Sequence, residues 1–175
     1  ITGLTIDRAS AARVGLFDYV REGTVKNVAL RQVDITGDTR VGGVVGLAEG
    51  ADLQGLAVTG TITASSSVGG IVGVLYKTEG SIVEDPVPST LSESYVGGSI
   101  TGRNVGGIAG QNKGTIEAVY TTADVGDDSK VGGIVGLNGN EGVVRDAYAA
   151  GEITGTEYVG GIVGQSGGQV TDSYW

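Results

Sequence analysis

The stretch VGGIVGLNGNEGVVRDAYAAGEITG, from Val131 to Gly155, contains the unit from which the rest of the chain is built. Its opening string VGGIVG recurs at Val68 and Val159, with VGGVVG at Val41, VGGIAG at Val105 and a worn copy, VGLF, at Val14. Successive copies start 27, 27, 37, 26 and 28 residues apart. A near-constant period of this size is the signature of stacked repeats. The longer interval holds its extra residues between Gly73 and Leu91, with both prolines, Pro86 and Pro88. We read it as a surface loop inserted over about 78–88, since insertions in repeat arrays map to loops.

Each unit has two further parts. The second reads GTIEAVYT from Gly114, GVVRDAYA from Gly142 and GQVTDSYW from Gly168. The third reads GTITA from Gly60, GSITG from Gly98 and GEITG from Gly151. All three parts are short, rich in Val, Ile, Thr and Tyr, and bounded by Gly, Asn, Asp or Ser, which are strand and turn signals. No segment sustains a helical period. Three short strands in about 27 residues, repeated six times, predict an all-β fold: a parallel β-solenoid (β-helix) of about six coils, forming one domain over residues 1–175. Each strand then pairs with its equivalent one coil away, at about 4.8 Å. A propeller blade would need about 40 residues, so the period is too short.

Stacking turns equivalent residues into columns. Ile35, Ile62, Ile100, Val125 and Ile153 should point inward, as should Leu53, Leu91, Ile116 and Val144. The odd step from Ile116 to Val119, and its equivalents, requires a bend. The VGGIVG string is ambiguous, because two adjacent columns are apolar: Ile71, Ile108, Ile134, Ile162, then Val72, Ala109, Val135, Val163. A straight strand buries only one of them. Either the Gly-Gly pair bends the chain, or Val72, Val135 and Val163 form an exposed apolar stripe that another protein surface covers.

At these residues the chain resembles the GLUG-motif repeat family, on the stretch from Val131 to Gly155 and on DSYW ending at Trp175. The resemblance covers nearly the whole chain. It implies a repeat module of large bacterial secreted or surface proteins, including adhesin-like proteins and accessory regions of some zinc metallopeptidases. The peptidase zinc motif needs histidines, and this chain has none. The first copy departs most, since Val14-Gly15-Leu16-Phe17 lacks two glycines, and Ala29 and Ala57 stand where later copies have tyrosine.

Composition narrows the chemistry further. Of 175 residues, 34 are glycine, against a usual share of about 7%. The absence of histidine and cysteine removes Ser-His-Asp triads, thiol nucleophiles and the usual zinc, haem and iron–sulfur ligands, so neither a catalytic residue nor a cofactor or metal is expected. A net charge of −9 repels nucleic acid. No apolar run approaches the roughly 20 residues of a membrane-spanning helix, so no membrane insertion is expected. The GGxxG strings lack the lysine and helix of a phosphate loop.

The candidate ligand-binding residues are a tyrosine column and its acidic neighbours. Tyr95, Tyr120, Tyr148 and Tyr174 should stack on consecutive coils and face out, with Glu93, Asp146 and Asp172 two residues earlier on the same outer face. The plain reading is an aromatic ladder that stabilises the sheet. The sharper one is a platform for carbohydrate, with rings for stacking and carboxylates for hydroxyl groups. Paired acids on adjacent coils, Asp146 with Asp172 and Asp124 with Glu152, could do glycosidase or lyase work, but only the insertion could form a cleft. Two carboxylates also fall short of the six to eight oxygens calcium takes. Thr36, Thr63, Thr101 and Thr154 form an outward threonine column, interrupted at Gly126.

The expectation from sequence is therefore a non-enzymatic structural or adhesive segment of a larger bacterial protein, extracellular or at the cell surface. The alternative is a carbohydrate-binding module on the tyrosine face; a polysaccharide-degrading β-helix comes third. Its partners would be neighbouring domains of the same protein, a second copy, or host or environmental glycans.

Overall fold

A computed structural model of the chain describes residues 1–78 and 85–175. The described residues contain no helix, and every strand pairing is parallel. The strands stack as a β-solenoid of about six turns. Repeats pair with repeats: Val14 meets Val41, then Val68, Val105, Val131 and Val159 in one unbroken column. One side of the coil is a six-stranded sheet running from Phe17–Arg21 through Val45–Glu49, Val72–Tyr76, Ala109–Asn112 and Val135–Asn138 to Val163–Ser166. The other sides form one continuous 14-stranded sheet, because long strands such as Ala29–Gly42, Ala57–Gly69 and Thr90–Gly102 run through the corners.

Two columns of left-handed residues turn the chain. The first is Asn27, Gly55, Glu93, Ala118, Asp146 and Asp172, with φ between 46° and 65°. These residues stand between inward columns such as Ile116 and Val119, and supply the bend that the odd step requires. The second is Arg40, Ser67, Asn104, Lys130 and Tyr158, each immediately before a Val-Gly-Gly, with φ between 48° and 56°. A side chain in this region costs roughly 1–2 kcal/mol. It is tolerated here because the backbone on both sides is held by ladders to the neighbouring coils.

The core is a stack of aliphatic columns. Ile35, Ile62, Ile100 and Val125 are buried, as are Leu53, Leu91, Ile116 and Val144. In VGGIVG both adjacent columns are buried as well: Val72, Ala109 and Val135 have no exposure, like Ile71, Ile108 and Ile134. The exposed stripe does not exist. The strand stops at the first glycine and a new one starts after the Ile, as at Val105–Gly106 and Ala109–Asn112, so the intervening bend turns both side chains inward. The last glycine of the string lets the returning strand touch the backbone of the neighbouring coil. A Cβ on Gly136 would lie 2.6 Å from the carbonyl carbon of Asn104 and 2.7 Å from the nitrogen of Val105.

The worn first copy is repaired within its own turn. Phe17 pairs with Val45, one residue out of step with Val14 and Val41. A bulge between Leu30 and Val33 takes up one extra residue and restores the step before Val41. The insertion also leaves register intact on both sides, with Leu75 paired to Asn112 and Thr90 to Thr115. Its neck is closed: Val87 donates to Thr78 Oγ1 at 2.8 Å, and Thr78 is buried rather than protruding. Residues 79–84 of the proposed loop lie outside the described residues.

Candidate contact surface

The tyrosine column forms in the predicted register. Tyr95 pairs with Tyr120, Tyr120 with Tyr148, and Tyr148 with Tyr174. Tyr95 is half-buried; Tyr120, Tyr148 and Tyr174 are 49%, 50% and 68% exposed. The Tyr95 and Tyr120 ring centroids lie 4.5 Å apart at 32°, so each covers a face of the other. The Tyr95 hydroxyl also bonds the Thr122 hydroxyl at 3.1 Å. Tyr95 thus serves partly as structure, and the rings of Tyr148 and Tyr174 stay open.

Glu93, Asp146 and Asp172 are exposed, but they occupy the left-handed bend itself. They rim the corner beside the tyrosines rather than sharing their flat face. The neighbouring outer face carries an ion pair between Arg145 and Glu117, in register on adjacent coils.

A second feature lies where Gly126 interrupts the threonine column. A shallow hollow of about 490 Å³ lies here, bordered by Thr101, Asp124, Asp127, Glu152 and Thr154, and a Cβ on Gly126 would meet Thr154 rather than fill it. Asp124 accepts the Glu152 backbone N–H at 3.0 Å, which occupies one of its oxygens. Thr63 and Thr101 bond each other at 3.0 Å. Among the described residues no three acidic side chains converge closely enough to hold a metal ion, and no helix is long and apolar enough to cross a membrane.

Several polar residues that the sequence reading passed over join the coils. Asn112 and Asn138 are fully buried, and Asn112 Nδ2 donates to Asn138 Oδ1 at 2.9 Å. Both stand seven residues after the Val of their strings, so equal spacing was the signal available. Asp52 accepts from Lys26 at 2.9 Å and from Thr90 at 2.9 Å, spanning three coils. Those two partners, Lys26 first, hold its carboxyl below the usual range. Tyr19 donates to Glu49 on the next coil, and this bond, followed by burial, raises the phenol above its ordinary value.

The GLUG motif model matches residues 37–63 and 128–154. Each match spans about one turn of the solenoid, beginning after one third-part strand and ending on the next. Halomucin of Haloquadratum walsbyi is 40% identical over 74 residues, which is 42% of this chain and 1% of that protein's length. This chain therefore spans about a hundredth of the curated relative it matches. No solved structure matches. GLUG motifs thus occupy two turns of the solenoid, and the other turns repeat the same strings in register with them.

Proposed function

We propose that the chain is a rigid, acidic structural segment of an extracellular surface protein, whose stacked coils set reach and whose outer columns present a contact surface. The observation that carries this reading is the unbroken parallel register through every coil. A molecule held by ladders along its whole axis resists bending and needs no partner to stay extended. The mucin-type name of the long relative from Haloquadratum walsbyi supports an extracellular placement, and that relative is archaeal rather than bacterial. The adhesive part of the reading rests on the exposed tyrosines.

A second reading has one specific observation in its favour. Tyr148 and Tyr174 stand side by side, half or more exposed, beside the carboxylates of Asp146 and Asp172. That pairing suits a carbohydrate chain lying along the axis. A glycan array probed with the chain separates the two. A spacer gives no saturable binding. Saturable binding that Tyr148→Ala abolishes transfers the function to the tyrosine face.

A further inference from the structure

Asn138 is followed by Gly139, and this is the only Asn-Gly step in the chain. Such a step carries its own reaction. The backbone nitrogen of Gly139 can attack the carbonyl carbon of the Asn138 side chain, because glycine puts no Cβ in the way. A carbon–nitrogen bond forms, the Gly139 N–H proton passes through water to the Asn138 amide nitrogen, and that nitrogen leaves as ammonia. The product is a cyclic succinimide. Water then opens the ring at one of its two carbonyls. One opening gives aspartate, and the other gives isoaspartate, with the main chain rerouted through the side chain. Water is the only co-reactant.

Coil stacking holds both reacting groups away from this chemistry. The Gly139 N–H donates to the Asn112 carbonyl at 2.8 Å. The Asn138 amide accepts from Asn112 Nδ2 at 2.9 Å. It donates to the Gly142 carbonyl at 3.2 Å, to Ser166 Oγ at 3.2 Å and to the Gln169 carbonyl at 3.3 Å. The side chain has no exposure. Two glycines close on it, since a Cβ on Gly142 would lie 2.1 Å from Asn138 Oδ1 and one on Gly168 would lie 2.9 Å from Nδ2. Ring closure requires the amide to leave all of these bonds and the Gly139 N–H to leave its own.

Packing does not demand the glycine. Glu49, Tyr76 and Lys113 hold the equivalent place on other coils. The atom nearest to a Cβ on Gly139 would be Lys113 Cγ, on a flexible side chain, at 3.0 Å. Asn112 is buried and laddered in the same way, but Lys113 follows it and crowds the attacking nitrogen.

We propose that Asn138 is a conditional modification site, inert while the coils are stacked and converted to aspartate or isoaspartate once this turn opens, after which the turn no longer restacks. Aspartate places an oxygen where Nδ2 stood, against the Gly142 and Gln169 carbonyl oxygens, and buries a charge among them. Isoaspartate adds a methylene to the main chain, which throws the strand Val135–Asn138 out of step with the residues that follow. Local opening is ordinarily reversible. Here the chemistry makes it permanent.

The test compares the folded chain with the chain held unfolded in guanidinium chloride at the same mildly alkaline pH. Conversion at residue 138 is read by peptide mass spectrometry and by isoaspartate content. It should run at least about 100-fold slower in the folded chain, since only the open fraction reacts. Gly139→Ala should keep the parent's denaturant midpoint and slow conversion of the unfolded chain several-fold. Asn138→Asp, which makes one product directly, should have a lower denaturant midpoint than Asn138→Ala, which removes the same donors without adding a charge. Equal conversion rates in the folded and unfolded chains overturn the proposal, and so does Asn138→Asp with the parent's midpoint.

Discussion

Asn112 Nδ2 donates to Asn138 Oδ1 at 2.9 Å, and both side chains have no exposure. The pair closes a polar account inside an aliphatic stack. Asn112 Oδ1 accepts the Gly114 N–H at 2.9 Å, and Asn138 Nδ2 reaches Ser166 Oγ at 3.2 Å on the next coil. Polar groups are tolerated at this depth because each finds a partner on its own coil or the next.

Removing one member should therefore cost more than one ordinary hydrogen bond. Asn138→Ala removes one of the two acceptors that Asn112 Nδ2 has on the next coil, leaving the Val143 carbonyl at 3.2 Å, takes the Asn138 donor from the Gly142 and Gln169 carbonyls, and opens a small void. The expected loss is about 1–3 kcal/mol, read as a lower urea midpoint with an unchanged slope. An unchanged midpoint would show that the ladder is decorative.

The last glycine of each string should tolerate no side chain. Gly136→Ala places a Cβ against the backbone of Asn104 and Val105, which cannot move without breaking ladders. A loss of about 1–3 kcal/mol or more is expected. Gly139→Ala is the control, because its nearest neighbour is the flexible Lys113 side chain at 3.0 Å, and its change should stay within about 0.5 kcal/mol. Equal effects would remove the close-approach explanation.

The bend column should prefer glycine. Ala118, at φ 50°, is exposed and stands in the same column as Gly55, at φ 65°. Ala118→Gly relieves the left-handed strain and should raise stability by about 1 kcal/mol, less the entropy glycine adds to the unfolded chain. A decrease in denaturant midpoint would mean that coil stacking has already absorbed the strain.

Asp52 should add an acid-sensitive contribution. Its folded-state pKa is lowered by Lys26 and Thr90, so its stabilisation is complete above the unfolded value of about 3.9 and is lost as pH falls through the folded value. Asp52→Asn should lower the melting temperature at neutral pH and flatten its fall below about pH 4. Parallel pH profiles for the two proteins would refute the assignment.

Much of this molecule is legible in the sequence because the repeat reports its own stacking. Six copies of one short unit fix the period, the parallel pairing and the inward columns: side chains that recur at one place in every copy must meet one another. The tyrosine register follows in the same way. The string VGGIVG was different. Its two adjacent apolar columns fit either a straight strand with one face out or a bent one with both in, and the residue types are the same in each. Only the packed backbone decides, because the bend is stabilised by Gly136 and its equivalents touching the neighbouring coil, and that contact lies between residues about one turn apart. The odd step from Ile116 to Val119 announced the bend at Ala118 and its equivalents, but the bend at Lys130 carried no such signal. Lysine does not prefer a left-handed conformation, and the ladders on either side impose it. The sequence set which residues stack, while the shape of each coil waited on how closely its backbones could approach.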